Sequence, residues 1–291
     1  MIKINEKNLD ITKFPNNETL VETKYVNELI KNEELIRIDF KWHNDEDLIN
    51  LYFIMSHLKE HFNGSKHLYI YYMPYSRMDR NENGNCFTLH HICDLIKTTL
   101  KKEDKIHIVE PHSDVTLNEL NAERINLMTP LVQEVLSKHS DIDVICYPDK
   151  GAKARFKDDT IDKPVIYCEK VRDFDTGEIK GLTLVGDVSL QDKNVLIVDD
   201  LCSKGGTFYH TAKELQKNGA KNIYLTVCHM ESTIRYGKIL NNCNLIKHIY
   251  TTDSMLYPVE AYWLQKENSI TIYDLDNYLH NNILEVQNNM I

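Results

Sequence analysis

No Cys-x-x-Cys pair occurs among the seven cysteines of this 291-residue chain. The count is odd, and Cys146, Cys168 and Cys228 lie at or just beyond apolar runs, where a free thiol behaves as a small hydrophobe. That usage suits a reducing compartment better than a disulfide framework. Also missing is any uncharged apolar run approaching ~18 residues, the length a membrane helix needs. The opening "MIKINEKNLD" has no apolar stretch resembling a secretory leader. A soluble, cytoplasmic protein with no membrane partner is expected. Basic residues are in deficit, 34 Lys and Arg against 44 Asp and Glu, for a net charge of −10. This balance argues against non-specific binding of nucleic acid. An anionic ligand must instead be held by local Lys or Arg, by backbone amides or by a metal ion. Low-complexity segments and short-period repeats are absent too.

What is present is a 42% hydrophobic chain long enough for two ordinary domains with sizeable cores. Short apolar runs alternate with amphipathic stretches. "ELIRIDF", "HLYIYYM", "KIHIVE", "DVICYP", "PVIYCEK", "NVLIVDD" and "NIYLTVC" predict strands. "DEDLINLYFIMSHLKEHF", "TLHHICDLIKTTL" and "TFYHTAKELQKNG" carry apolar residues at i, i+3 and i+4 and predict helices. Asp45 and Thr88 are the expected caps of the first two helices, and Gly219 the expected stop of the third. The fold class is therefore α/β, with mostly parallel sheets flanked by helices. A seam near Ser137–Asp141, after the helix "TPLVQEVLSK", divides the chain into two similar lobes, 1–140 and 141–291.

The stretch "VLIVDDLCSKGGTFYHTAKELQ" carries the most chemistry. The strand Val195–Val198 delivers Asp199 and Asp200 to its carboxyl end, where open α/β folds bind ligands. Gly205 and Gly206 let backbone approach an anion closely, at the start of a helix expected near Thr207. Carboxylates that accept from ribose hydroxyls or hold Mg²⁺, beside a loop for phosphate, fit a sugar phosphate. An acidic strand end followed by an ordinary turn is the plain alternative.

In context, this stretch resembles the phosphoribosyl-binding loop of type I phosphoribosyltransferases and of ribose-phosphate pyrophosphokinases. Three further segments favour the pyrophosphokinases. "YYMPYSRMDR" resembles their ATP segment, "FPNNE" the N-terminal segment that reaches a neighbouring subunit's adenine, and "YPDKGAK" their S-P-D-x-G segment. The elements recur in family order over roughly residues 14 to 253. The resemblance implies a phosphoribosyltransferase-like fold in both lobes. It implies ATP contacts at Phe14, Glu18, Arg77, Asp79, Arg80 and His112, with Met78 where the family carries glutamine. Mg²⁺ would lie near His112 and Asp149. Ribose and phosphate would be held by Asp149, Lys150, Asp199, Asp200, Ser203, Lys204, Gly205, Gly206 and Thr207. In "EKVRDFDTGEIKG", Lys170 and Arg172 stand two apart, so an extended segment points both cations to one face. The family's Lys-x-Arg pair on a flexible loop is catalytic, closing over phosphates and stabilising developing charge. A solvated charged hairpin is the alternative.

The pattern breaks in two places. Family phosphate loops usually read D-D-x-x-D-T-x-G-T, whereas Ser203 and Lys204 replace the third acid and the residue after it. Lys150 stands where a small residue is common. One lost negative charge and two gained positive ones suit an acceptor with more phosphate than ribose 5-phosphate, such as the ADP-ribose of nicotinamide (NAD) salvage. The expected reaction moves the β,γ-diphosphate of ATP to the C1 hydroxyl of a 5-phosphorylated ribose and releases AMP. ADP-ribose is the favoured acceptor and ribose 5-phosphate the alternative. A lone phosphoribosyltransferase and a non-catalytic regulatory homologue are the other readings. A homo-oligomer sharing its ATP sites between subunits is implied.

Overall fold

The computed structural model describes residues 1–81, 84–156, 161–172, 179–241 and 244–280, with backbone alone at 170–172 and 179–180. It consists of two compact units, Met1–Asn126 and Leu127–Ile291.

The first unit runs β1 (Ile2–Ile4), β2 (Lys7–Asn8), β3 (Thr12–Lys13), β4 (Thr19–Leu20), α1 (Thr23–Leu29), β5 (Leu35–Phe40), α2 (Asp45–His61) and β6 (Ser65–Ile70). It continues through α3 (Thr88–Lys97), β7 (Lys105–Val109), α4 (Asp114–Leu120) and β8 (Glu123–Ile125). Its main sheet has the order β2-β1-β5-β6-β7-β8. Strands β5 to β8 are parallel and β1 is antiparallel to its neighbours. Period-two alternation sends Ile36, Ile38, Phe40, Leu68, Ile70, Ile106 and Ile108 to one face. There they join Leu51, Ile54 and Leu58 of α2 and Leu89 and Cys93 of α3 in a single buried cluster. The opposite face carries a row of charge and rings. Arg37 lies 4.3 Å over the Tyr69 ring, which stacks 4.5 Å from His107.

The second unit runs α5 (Met128–Lys138), β9 (Val144–Tyr147), α6 (Lys150–Arg155), β10 (Val165–Arg172), β11 (Ile179–Val185), β12 (Asn194–Cys202), α7 (Gly206–Lys217) and β13 (Asn222–Met230). A 3₁₀ turn over Ser232–Tyr236, α8 (Lys238–Asn241), β14 (His248–Thr252), α9 (Pro258–Glu267) and β15 (Ile270–Tyr273) complete it. The sheet order is β11-β10-β9-β12-β13-β14-β15, antiparallel only between β10 and β11. Phe208, Ala212 and Leu215 of α7 pack on Val144, Val195, Ile197 and Leu225.

Each of the seven expected strands is present. The units part at 126/127, whereas the sequence placed the seam at 140/141. The reason is α5, which buries Leu131, Val132 and Val135 and packs on β13, so it goes with the second sheet. Asn44, not Asp45, caps α2: its side chain accepts from the Asp47 amide at 3.2 Å, and Asp45 is the first helical residue. Thr88 likewise opens α3 without capping it, since Phe87 holds the cap position and makes no side-chain bond. Gly219 sits one residue past the α7 cap at φ 96°, where a side chain would meet Gln191. No described helix is long and apolar enough to cross a membrane, and the six described cysteines are free thiols.

Candidate active site

Strands β9 and β12 are neighbours, parallel, with Ile197 opposite Cys146. After β9 the chain passes through α6 to β10 on one side, and after β12 through α7 to β13 on the other. Their carboxyl ends therefore border a topological switch point, where open α/β sheets place ligands. Asp149, Lys150, Asp199, Asp200 and the loop 203–207 all converge there.

Strand β12 is longer than the sequence suggests. It pairs with β13 through Asp199 opposite Val227 and on to Cys202 opposite Met230, so the acid pair lies within the strand. Both acids meet one cation. Arg155, on the last turn of α6, approaches Asp199 at 3.4 Å and makes a close ion pair with Asp200. The three side chains are only 15%, 16% and 6% exposed. Burial first, then the charge of Asp200, holds the Asp199 carboxyl well above the usual carboxylate range, with Arg155 pulling the other way. Asp149 caps α6, accepting from the Ala152 amide at 2.9 Å.

The loop after β12 has a fixed form. Gly205 holds φ 72°, and a Cβ there would lie 2.4 Å from Ile239 Cδ1, so only glycine fits. The α7 helix starts at Gly206 with no side-chain cap, and Gly206 and Thr207, whose first-turn amides have no acceptor within the helix, are exposed. Ser203 Oγ donates to Glu231 Oε2 at 2.6 Å, and Thr233 Oγ1 donates to the same oxygen at 2.9 Å. Lys204 is exposed. Lys150 is engaged elsewhere, in an exposed pair with Glu169 at 2.7 Å, which raises its pKa through that hydrogen bond.

Residues expected at ATP lie in the first unit. Segment 71–80 leaves the carboxyl end of β6 and His112 follows that of β7; Ile70 and Ile108 are opposite one another on these adjacent strands. Arg77 and Arg80 are exposed, Met78 is 37% exposed, and Arg80 meets Asp79 at 3.3 Å. Tyr75, at φ 62°, turns the segment and donates to Asp45 at 2.7 Å. Phe14 and Glu18 form the tip of the β3–β4 hairpin, joined by the Phe14 amide donating to the Glu18 carbonyl at 2.9 Å. Thr19 anchors that hairpin to Asn50 of α2 at 2.9 Å and leaves Phe14 48% exposed. Lys170 and Arg172 end β10, with backbones opposite Leu182 and Ile179 across a register irregularity; their side chains lie outside the described residues.

Arg155, Glu231 and Thr233 escaped the sequence reading. A buried acid pair demands a cation, and Arg155 stands six residues past Asp149, two beyond the end of the segment "YPDKGAK". Glu231 directly follows strand β13, at the carboxyl end of the sheet where ligand-binding acids were expected. Among the described residues, one His/Asp/Glu grouping has metal-like spacing, His90, Asp94 and Glu119. Lys97 bridges its two carboxylates at 3.1 Å each and supplies their countercharge.

The ribose-phosphate pyrophosphokinase of Pyrococcus abyssi is 30% identical over 262 residues, covering 87% of this chain and 88% of the relative. The chain belongs to the ribose-phosphate pyrophosphokinase family. As a member it is an enzyme, a diphosphotransferase. The ribose-phosphate pyrophosphokinase of Sulfurisphaera tokodaii is 27% identical over 248 residues, 83% of this chain and 82% of that one. The fold matches the crystal structure of phosphoribosylpyrophosphate synthetase from Mycobacterium smegmatis with a TM-score of 0.72 at 18% identity, over 96% of this chain and 90% of that chain. No family model matches. The pyrophosphokinase likeness thus spans both units, which sets aside the lone-transferase reading.

Proposed function

We propose that this enzyme transfers the β,γ-diphosphate of ATP to the C1 hydroxyl of ribose 5-phosphate, giving the 1-pyrophosphate and AMP. The observation that carries the reading is the acid pair of β12 running directly into a glycine-anchored loop at the switch point. In this reading Asp199 and Asp200 accept from the ribose diol, and Asp149 lies near the ribose and the metal. A hydroxyl donating to Asp199 favours its ionised form against burial, while Arg155 fixes both carboxylates from behind. Loop residues 203–207 take the 5-phosphate through backbone amides and the helix start. Carboxylates of this kind are the hard oxygen donors Mg²⁺ prefers, so Asp149, Asp199 and Asp200 fit that ion. When bound, Mg²⁺ would neutralise charge on the diphosphate.

The C1 oxygen attacks the β-phosphorus, the bond from that phosphorus to the α,β-bridging oxygen breaks, and AMP leaves with the electron pair. The hydroxyl proton passes to solvent. No general base is evident, so positioning and charge stabilisation supply the acceleration. Lys170 and Arg172 are assigned to the transferring group. Arg77, Asp79, Arg80 and His112 are assigned to ATP. Phe14 and Glu18, at an exposed hairpin tip, are assigned to a neighbouring subunit's adenine in a homo-oligomer.

Ribose 5-phosphate is preferred to ADP-ribose on the charges around the loop. The curated relatives are named for ribose phosphate. The positive charge of Lys150 is met by Glu169, and the acid missing at Ser203 is matched by Glu231 in hydrogen-bond contact. Of the three departures that favoured a more phosphorylated acceptor, Lys204 alone keeps its weight. Purified enzyme with Mg-ATP and equal concentrations of both acceptors tests this. Mass analysis should find ribose 1-pyrophosphate 5-phosphate as the dominant product. Dominant ADP-ribose 1-pyrophosphate would return the acceptor to the nucleotide-bearing sugar.

A further inference from the structure

The 5-phosphate loop leans on a single neighbouring segment, 231–239, at three successive residues. Ser203 donates to Glu231. The Lys204 carbonyl sits where any side chain at Gly237 would collide with it, 2.0 Å from a Cβ there. Gly205 lies against Ile239. Two of these contacts are steric, and the polar one is built around one carboxylate oxygen. Glu231 Oε2 accepts from Ser203 and from Thr233, whose hydroxyls are 3.3 Å apart. The residue is held in place by the sheet itself. Cys202 is opposite Met230, and the Glu231 amide donates to the Cys202 carbonyl at 2.9 Å. Ser203 and Glu231 are therefore the residues that immediately follow the last paired positions of two adjacent parallel strands.

We propose that Glu231 is a positioning residue for the 5-phosphate loop, supplying from β13 the anion that the loop itself lacks at Ser203. This rests on the ribose 5-phosphate reading above. The carboxylate anchors the loop at its first residue, so the amides that follow hold one spacing instead of several. An aspartate at 203 with Glu231 still present would set two carboxylates within hydrogen-bond distance, where like charges repel. The serine and the glutamate are thus one exchange of an acid across a strand pair, and neither is free to change alone.

The test measures ribose 5-phosphate affinity by calorimetry and the KM for ATP, in wild type, Glu231→Ala, Ser203→Asp and the exchange Ser203→Asp/Glu231→Ser. Losing a charge-assisted anchor should weaken ribose 5-phosphate binding by about tenfold in each single variant. The KM for ATP should stay within about twofold, and the exchange should recover most of the affinity, since an acid at either strand end serves. Wild-type affinity in Glu231→Ala, an ATP KM that moves as far as the acceptor affinity, or an exchange no better than its parents would each overturn the proposal. A wild type that binds ribose 5-phosphate but forms no AMP would remove the proposed reaction and leave the loop assignment standing. A wild type that does not bind it removes both.

Discussion

Replacing Arg155 by alanine is the perturbation whose consequences the structure fixes most fully. Its guanidinium is the cation shared by Asp199 and Asp200, and all three side chains are largely buried. Removing one partner of a buried charge set costs about 3–5 kcal/mol, mostly the penalty of the charge left behind. The lower end applies here, because a ligand cleft admits water. About 3 kcal/mol in a unit of this size corresponds to a Tm lowered by roughly 6–12 °C. The pH dependence carries the sign. Asp199 already titrates above its ordinary value, so the folded state holds that proton more tightly than the unfolded chain. Stability from this group is gained as pH falls and lost as pH rises through its folded pKa. Without Arg155 the pKa rises further, so the Tm deficit of Arg155→Ala should grow as pH rises and shrink on acidification. Adding Asp199→Asn should restore part of the neutral-pH Tm while leaving the enzyme inactive. Differential scanning calorimetry from pH 5 to 8 reads all of this. An unchanged Tm, or a deficit as large in acid as at neutrality, would refute the reasoning.

Alanine at Lys170 or Arg172 should lower kcat by roughly 10²–10³, the usual loss for one electrostatic stabiliser, with a smaller change in acceptor KM; wild-type turnover in the double variant would return them to a solvated hairpin. Burial pushes His107 down to about 4, against the pull of Glu123 and with His67 and Arg37 adding to the fall. Stability from this group is therefore complete above its ordinary value of 6.5 and lost as pH falls towards 4, and His107→Gln should flatten that part of a denaturation series. Phe14→Ala should raise the KM for ATP in an oligomer seen by sedimentation, whereas a fully active monomer would contradict a shared adenine site.

Seven of the parallel strands were legible because each is an apolar run bounded by polar turns, as in "NVLIVDD" and "KIHIVE", whereas the three-residue β8 ("ERI") is too short to show one. Strands β14 ("HIYTT") and β15 ("ITIY") were not, since threonine and tyrosine alternate in them without an apolar block. The helix α5 was read correctly as a helix but assigned to the wrong side of the seam. Its amphipathic face says that it packs, not on which sheet. In the site, the acid pair and the glycines were visible because their chemistry is local to one segment. The partners that define their electrostatics were hidden for the opposite reason. Arg155 reaches Asp200 across 45 positions and Glu231 reaches Ser203 across 28, through the pairing of strands β9, β12 and β13. Lys150 pointed to extra phosphate only while Glu169, on a neighbouring strand, was out of view.

The central claim is that a diphosphate moves as a unit, and the fate of the nucleotide decides it. Enzyme, Mg-ATP and ribose 5-phosphate should be incubated for less than one full turnover of the sugar, and nucleotides and sugars separated and quantified by mass. One AMP should appear for each sugar 1-pyrophosphate, with no ADP. ADP appearing with a singly phosphorylated sugar would mean attack at the γ-phosphorus and would contradict the account.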